Sequence, residues 1–287
     1  ITSLKSQPRG KVWEMLGEEI VDQYIDRTAA LAAKPGSLRI VYTAMHGVGT
    51  ETIQRVFHKA GFHSPILVQA QAAPDPDFPT VAFPNPEEPG AIDLALETAK
   101  AFDAHLVIAN DPDADRCAAA INDPATGWRM LRGDELGAIF AESIARKIDS
   151  GIFANSIVSS SIVRKIAAHY KLDFKETLTG FKWLAKIENL TFGYEEALGY
   201  AVDAKTVNDK DGISAAITLA QIATDLAAEG KTILDLLDEV WARHGFHATE
   251  QISIRLSDLS KVGVILGGLR SNPPKEIAGR SVTSIDD

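Results

Sequence analysis

The amino-acid sequence predicts an α/β protein built from tandem α/β/α sandwich domains with mostly parallel or mixed sheets. Short apolar segments alternate with longer segments that carry one apolar stripe, which gives the order strand, helix, strand, helix, strand. This order is typical of sheets whose two faces are both covered by helices. A chain of 287 residues with 45% hydrophobic residues can form two such domains or slightly more, each with its own core.

The first half of the chain contains four predicted helices and five predicted strands. The helix pattern is clearest where Ile53, Val56, Phe57 and Ala60 form one stripe. The helices are expected at residues 12–31, 50–60, 91–102 and 133–147. The strands are expected at residues 38–42, 65–69, 104–109, 117–121 and 128–131, the last two as a hairpin. Residues 73–89 are too rich in proline for regular structure.

A second cycle of strands and helices begins after Asp149, Ser150 and Gly151, which predict a domain boundary. Its expected elements are strands at 156–160 and 174–178, helices at 162–170 and 212–228, a turn at 179–182 before a short helix, and a loop at 192–196. A third unit is expected to contain a strand at 251–255, a helix at 262–269 and a strand at 281–285. We therefore expect domains at 1–149 and 150–246 and an incomplete domain at 247–287.

Composition and charge exclude several classes of function. The formal net charge is −10 and no block rich in Lys or Arg is present, which argues against a nucleic-acid partner. No apolar run reaches the roughly 18 residues that a membrane span needs, and the N-terminus lacks the apolar core of a signal peptide. The single cysteine, Cys117, excludes an intramolecular disulfide and is expected to lie in a buried strand. We expect a cytoplasmic protein with no membrane partner.

A loop with three alternating carboxylates, Asn110 to Arg116, directly follows the apolar strand predicted at 104–109. Open α/β sheets usually bind ligands at the carboxyl ends of their strands, where this loop is expected. Short carboxylates suit Mg²⁺ better than Zn²⁺, and the arginine that follows them suits a phosphate. The loop lacks the glycine and glutamate that an EF-hand requires at its sixth and twelfth positions. The alternative is a solvated acidic turn whose aspartates cap local amides.

Three further segments carry candidate ligands. In residues 179–183, a glycine turn presents Lys182 near a helix N-terminus. This arrangement suits the binding of a sugar phosphate; the alternative is a plain helix cap with a solvated lysine. Adjacent Glu195 and Glu196 lie between glycines, where they could accept hydrogen bonds from sugar hydroxyls or lie at an exposed hairpin tip. Asp211 is expected to cap the next helix, and Lys210 before it is a phosphate ligand or a surface charge.

Together these segments resemble the α-D-phosphohexomutases, the phosphoglucomutase/phosphomannomutase family. The resemblance rests on the order and spacing of six segments, namely 46–49, 83–87, 110–116, 179–182, 194–196 and 210–212. Within the family, the sequence Asp-Pro-Asp-Ala-Asp-Arg of the acidic loop is similar to the bacterial and phosphopentomutase-like branch. The resemblance implies that the three expected units correspond to the second and third domains of the family and the start of its fourth, with the end of the first domain at the N-terminus.

The resemblance also implies roles for individual residues. Asp111, Asp113 and Asp115 would bind Mg²⁺ together with a phosphoserine oxygen, and Arg116 would steady the phosphoryl group. In the same way Glu195 would bind sugar hydroxyls and Lys182 would meet the far end of the substrate, with help from Lys210. Many relatives carry a serine at the position of Ala197, so sugar recognition differs there.

The function that the resemblance implies is reversible transfer of a phosphoryl group between C1 and C6 of a hexose phosphate, glucose or mannose, through a hexose 1,6-bisphosphate intermediate. No segment like Thr-Ala-Ser-His-Asn-Pro occurs, so the phosphoserine is absent from these 287 residues. We therefore expect the middle of a longer enzyme, inactive by itself. The alternatives are a phosphopentomutase, a non-catalytic binding fragment and a phosphohydrolase of the haloacid-dehalogenase type, and the oligomeric state is not predicted.

Overall fold

The structure is a computed structural model that describes residues 10, 14–34, 36–250, 256–277 and 279–285. It divides into two compact units, within residues 1–247 and 248–287. The larger unit contains two sheets. None of the helices in the described ranges is both long enough and apolar enough to cross a lipid bilayer.

The first sheet has five strands in the order β2-β1-β3-β4-β5. The strands are β1 (Ile40–Thr43), β2 (Ile66–Leu67), β3 (Leu106–Ala109), β4 (Ala118–Asp123) and β5 (Gly127–Met130). β1 pairs in parallel with β2 and β3, whereas β4 is antiparallel to β3 and β5. The predicted hairpin is therefore confirmed, and the sheet is mixed because this hairpin returns the chain along the edge of β3.

Helices cover both faces of this sheet. They are α1 (Glu18–Ala29), α2 (Gly49–Lys59) and α3 (Asp93–Ala101). Side chains of β1 alternate between the two faces, so Ile40 and Tyr42 enter one core while Val41 packs with Ala95 and Ala99 of α3 in another. This alternation confirms the α/β/α arrangement that the uninterrupted apolar strands predicted.

The second sheet has four strands in the order β7-β6-β8-β9. They are β6 (Ile152–Ser156), β7 (Asp173–Thr177), β8 (Leu190–Glu195) and β9 (Gly199–Ala201). β6 is parallel to β7 and β8, and β9 is antiparallel to β8. The accompanying helices are α4 (Gly133–Ala145), α5 (Ile162–His169), α6 (Phe181–Leu184), α7 (Gly212–Ala228) and α8 (Ile233–His244).

The two sheets share one hydrophobic core. It joins Tyr42 and Ile108 of the first sheet to Phe153 and Tyr194 of the second through the helices between them. The long helix α7 is buried along most of its length and packs against α1, α2, α4 and α8. Because one core spans both sheets, the carboxyl ends of their central strands are held in a fixed relation.

Three predicted elements of the larger unit are wrong in position or type. The first helix begins at Glu18, after the N-cap Gly17, instead of residue 12. The strand expected at 156–160 is β6 at 152–156, since its apolar residues are buried there and a turn follows. The loop expected at 192–196 is mostly the strand β8, in which Phe192 and Tyr194 enter the core. The first helix starts no earlier because residues 14–17 are exposed and gain nothing from packing. For the two strands, burial of neighbouring apolar residues overrides the interruption that a glycine or serine suggested.

The second unit contains one helix and one hairpin among its described residues. The helix α9 (Ser260–Ser271) includes the predicted 262–269 segment, and β10 (Glu276–Ile277) pairs antiparallel with β11 (Arg280–Ser281). The strand expected at 281–285 is thus shorter and begins earlier. The strand expected at 251–255 lies outside the described residues.

Candidate active site

The three-aspartate loop lies at the carboxyl end of β3, in the middle of the first sheet. One carboxylate oxygen from each of Asp111, Asp113 and Asp115 lies within 4.8 Å of the other two. Ala114 adopts a left-handed conformation with φ of +60°, and its amide donates to the carbonyl of Asp111. This tight turn directs alternate side chains of the loop toward one point.

Buried polar contacts hold the base of the loop. The Tyr42 hydroxyl donates to Oδ1 of Asn110 at 2.8 Å, and Nδ2 of Asn110 donates to the carbonyl of Arg116 at 2.5 Å. The amide of Gly212, at the start of α7, donates to the carbonyl of Ala114 at 3.1 Å. A Cβ on Gly212 would collide with this loop backbone, so only glycine permits the close approach.

A second loop, at the end of β1, supports the aspartates from the other side. Met45 and His46 both have positive φ, and the amide of Val48 donates to the carbonyl of Pro112 at 2.9 Å. The imidazole Nε2 of buried His46 hydrogen-bonds the hydroxyl of Thr80 at 2.8 Å. His46 therefore ties the proline-rich segment to the end of β1.

The donor set of the cluster fits Mg²⁺. All three ligands are carboxylate oxygens, which a small hard cation prefers, and Mg²⁺ binds them at about 2.1 Å, so oxygens on one ion lie up to about 4.2 Å apart. A small contraction of the cluster would therefore seat the ion. Asp111 is buried and Asp113 is exposed, so one side of the cluster remains open to a further ligand.

Burial raises the pKa of Asp111 to about 6, and the charges of Asp115 and Asp113 act in the same direction. The backbone amide of Arg116 opposes this shift by donating to Oδ1 of Asp111 at 3.0 Å. The Arg116 side chain also lies close, with Nε 3.5 Å from Oδ2 of Asp111 and 4.0 Å from Oδ1 of Asp115. Carboxylates crowded in this way repel one another, and a bound cation would relieve that repulsion.

Lys210 joins the cluster from the loop before α7. Its Nζ lies 2.8 Å from Oδ2 of Asp115 and 5.5 Å from the centre of the Phe181 ring. Partial burial lowers the pKa of Lys210, but the hydrogen bond and charge of Asp115 outweigh it and the net pKa is raised. Lys210 is thus a part of the cluster and not an isolated surface charge.

The neighbouring Asp211 has the capping role that the sequence predicted. Its Oδ1 accepts from the amides of Ile213 and Ser214 at the start of α7, and also from the Tyr24 hydroxyl at 2.8 Å. A cavity of about 270 Å³ lies alongside, lined by Tyr24, Asp113, Asp115 and Lys210 among others. The cluster therefore faces a space large enough for a phosphoryl group.

The two glutamates at the end of β8 have different partners. Glu195 is buried, and its Oε1 accepts from the amide of Gly180 at 2.5 Å. Glu196 accepts from the hydroxyls of Ser156 and Ser159 at 3.2 and 2.7 Å. Glu195 thus contacts the loop at 179–182, whereas Glu196 is held by the turn after β6.

Lys182 is exposed at the start of α6. Its Nζ lies 5.8 Å from the centre of the Trp183 ring, and the Nζ of Lys186 lies 4.3 Å from the same centre. The structure shows no carboxylate partner for Lys182 among the described residues. Its ammonium group can therefore meet an anion that enters from solvent.

Several residues of this region received no individual role from the sequence, although Glu87, Asn110 and Phe181 lie in the segments 83–87, 110–116 and 179–182. Glu87 lies near enough to Arg116 and Glu196 for their charges to influence it, and burial raises its pKa. Asn110 bridges Tyr42 and the carbonyl of Arg116, Ser159 donates to Glu196, and the Phe181 ring lies beside Lys210. Membership of these segments is the signal that the chain offers for the three residues. It offers none for Ser159 because its contact with Glu196 is long-range.

Comparisons with known proteins agree with this geometry. Residues 22–127 match the family model "Phosphoglucomutase/phosphomannomutase, alpha/beta/alpha domain II", and residues 132–244 match domain III of the same family. The matches divide the chain between residues 127 and 132, and the boundary expected at 149 and 150 stays a prediction.

Curated relatives cover nearly all of the chain. A probable phosphomannomutase from Haemophilus influenzae is 46% identical over 99% of this chain and 59% of its own length. A probable phosphoribomutase from Schizosaccharomyces pombe is 36% identical over 88% of this chain and 46% of its own length. The phosphopentomutase of Mus musculus is 34% identical over 88% of this chain and 45% of its own length. The chain therefore spans about half the length of the curated relatives it matches.

A solved structure shows the same fold. A phosphoglucomutase/phosphomannomutase family protein from Burkholderia thailandensis superposes with a TM-score of 0.71 at 19% identity, over 92% of this chain and 54% of that one. With both family domains matched in order across about three quarters of its length, the chain belongs to the phosphoglucomutase/phosphomannomutase family.

Proposed function

We propose that the whole protein is a phosphohexomutase that moves a phosphoryl group between C1 and C6 of glucose or mannose phosphate. The observation that carries this proposal is the cluster of three aspartates, Arg116 and Lys210, which gathers carboxylates and cations at the carboxyl end of one sheet. Phosphoryl transfer needs mainly positioning and charge stabilisation, which such a cluster supplies. The location we propose is the cytoplasm.

In this proposal the aspartates hold Mg²⁺, which when bound offsets the charge of the transferring group. Arg116 steadies the phosphoryl oxygens, and Lys210 adds a second positive charge beside Asp115. Glu195 accepts hydrogen bonds from sugar hydroxyls, with Glu196 beside it, and Lys182 meets the phosphate at the far end. A hexose 1,6-bisphosphate forms when a phosphoserine gives its phosphate to the sugar, and the other phosphate returns to the serine.

The phosphoserine of this proposal lies outside the 287 residues, since none of their serines has the surroundings of that motif. We accordingly expect no turnover from these residues alone. The second candidate is a phosphopentomutase, which the Schizosaccharomyces pombe and mouse relatives favour. The two candidates differ in sugar and not in the chemistry of the cluster.

The test is a mutase assay of the whole gene product with glucose, mannose and ribose 1-phosphates, together with Asp113→Asn. We expect Asp113→Asn to lower kcat by at least about 100-fold at limiting Mg²⁺ without loss of folding. Asp149→Asn, an exposed residue between α4 and β6, is the matched control with unchanged turnover. Phosphoenzyme trapped from the wild type should resist hydroxylamine, as phosphoserine does.

Two results would contradict the proposal. A phosphoenzyme that hydroxylamine cleaves would identify an aspartyl phosphate and favour the phosphohydrolase class. Wild-type turnover by Asp113→Asn at limiting Mg²⁺ would remove the cation site from the mechanism. A marked preference for the ribose ester would instead select the second candidate.

A further inference from the structure

The side chain of Lys210 runs through a narrow slot between Phe181 and Gly199. Its Nζ lies 5.5 Å from the centre of the Phe181 ring. A Cβ placed on Gly199 would lie 2.5 Å from Cδ and 2.9 Å from Cγ of Lys210, and 3.6 Å from the Phe181 ring. The slot is therefore closed on both sides, and glycine is required on one of them because any side chain would displace the lysine.

Rigid elements form both walls of the slot. Phe181 is 4% exposed and packs with Leu184 and Leu190 in a small core on the outer face of the second sheet. Gly199 is in β9, paired with Glu195 of β8, and it forms an isolated bridge with Arg116 of the acidic loop. The wall that contacts Lys210 is thus connected directly to the aspartate cluster.

An unrestrained lysine would gain little from such an ion pair. Exposed pairs of Lys and Asp are weak because water screens the charges and the long side chain loses conformational freedom. The slot removes that freedom in advance, and the side chain of Lys210 is only 20% exposed. Its ammonium group is therefore held 2.8 Å from Oδ2 of Asp115, on an atom that could otherwise bind a cation.

From this geometry we infer that Phe181 and Gly199 are positioning residues that hold the Lys210 ammonium against Asp115 and thereby lower the affinity of the aspartate cluster for a divalent cation. The inference rests on the cation site of the proposed function, but not on the sugar or on the reaction. The fixed positive charge repels the incoming ion and occupies one of its ligand oxygens. The slot thus sets how tightly the cluster binds its metal.

The test is a titration of the purified protein with Mn²⁺, followed by the electron paramagnetic resonance signal of the free ion. Lys210→Met should bind Mn²⁺ about three- to tenfold more tightly, because one charge beside the site is lost. Phe181→Leu and Gly199→Ala should each tighten binding in the same direction. In a Lys210→Met background neither change should have a further effect, since both act only through the lysine.

Matched controls separate this effect from general ones. Lys59→Met removes a lysine that also lies 2.8 Å from an aspartate, Asp26, but away from the cluster. Phe102→Leu changes an exposed phenylalanine, and Gly268→Ala adds a methyl group where no atom lies within 4 Å. None of these three variants should change the affinity for Mn²⁺.

The outcomes are distinguishable. Unchanged or weaker Mn²⁺ binding by Lys210→Met, while the wild type binds, overturns the inference and leaves the proposed function intact. An effect of Phe181→Leu that persists in the Lys210→Met background also overturns it, because the ring would then act by another route. Absence of any Mn²⁺ binding by the wild type overturns both the inference and the cation site of the proposed function. If Gly199→Ala does not fold, Phe181→Leu tests the slot by itself.

Discussion

The backbone amide of Gly180 donates a hydrogen bond of 2.5 Å to Oε1 of Glu195. This contact joins the loop before α6 to the end of β8. The segments 179–182 and 194–196, each predicted separately to carry a ligand, are therefore neighbours. Gly180 has a φ of +114°, a conformation that favours glycine, and it thereby directs its amide at the carboxylate. The glutamate thus has one oxygen engaged with the loop and one available to a ligand.

Replacement of Glu195 with alanine should impair substrate binding and loosen the 179–182 loop. Hydrogen bonds to a charged group contribute about 1.5–3 kcal/mol each, so kcat/KM should fall roughly 10- to 100-fold per lost bond. Steady-state kinetics of the whole protein check this. Glu188→Ala, at an exposed site after α6, serves as the control. Equal kcat/KM for the two variants would exclude Glu195 from the site.

Substitution of Gly47 with alanine should disturb the cation site through Pro112. A Cβ at this position would collide with the backbone of Pro112, inside the acidic loop. We expect a loss of roughly 1–3 kcal/mol in the free energy of unfolding, as for other overpacked sites, and weaker Mn²⁺ binding. Urea denaturation and Mn²⁺ titration provide the two measurements.

The matched control for this substitution is Gly263→Ala in α9, where no atom lies within 4 Å of the added methyl group. Since alanine is a better helix former than glycine, the free energy of unfolding of the Gly263→Ala variant should be unchanged or slightly increased. Unaltered Mn²⁺ binding by Gly47→Ala would show that the loop at the end of β1 does not support the cluster.

Removal of the Tyr42 hydroxyl should destabilise the base of the acidic loop. Tyr42→Phe leaves Oδ1 of buried Asn110 without its donor, at a cost of about 1–3 kcal/mol in the free energy of unfolding. Tyr170→Phe also deletes a hydroxyl that donates to a side-chain oxygen, here the carboxylate of Glu142, outside the site. Both variants should lose stability, but only Tyr42→Phe should weaken Mn²⁺ binding. Equal Mn²⁺ affinities would contradict the role of Tyr42 in the loop.

Acid should destabilise the protein through a buried pair, Glu142 and His244, whose side chains lie 3.0 Å apart. Burial lowers the pKa of His244 below its usual 6.5 and outweighs the opposing effect of Glu142. Burial raises the pKa of Glu142, but hydrogen bonds from Tyr170, His244 and Arg146 outweigh it and the pKa falls below 4.5. For both groups the unfolded chain takes up a proton at higher pH than the folded one.

The free energy of unfolding should therefore decrease as the pH falls below 6.5, through His244, and again below 4.5, through Glu142. Urea denaturation between pH 8 and pH 4 measures both stages. His244→Gln should remove the first stage, while His63→Gln, at an exposed site, should retain it. A wild-type stability that stays constant from pH 7 to pH 5 would contradict this assignment.

The fold class and the centre of the site could be predicted from local patterns of residues. The central strands β1 and β3 of the first sheet are buried on both faces, and their uninterrupted apolar pattern is local, so it predicts covered sheets without knowledge of the strand order. The three aspartates are equally local, because their spacing along one loop brings them together. Asp211 was also predictable as a cap, since its capping contacts lie within three residues of it.

Tertiary structure alone decided which distant residues complete the site. Lys210 reaches Asp115 because α7 begins beside the acidic loop, and Phe181 and Gly199 enclose it because β9 returns along β8. It also decided that β8 continues through Gly193, where burial of Phe192 and Tyr194 outweighs the local preference for a turn. Periodicity reports which side of an element is buried, whereas contact between elements depends on sheet order and on packing across a shared core, which no local pattern contains.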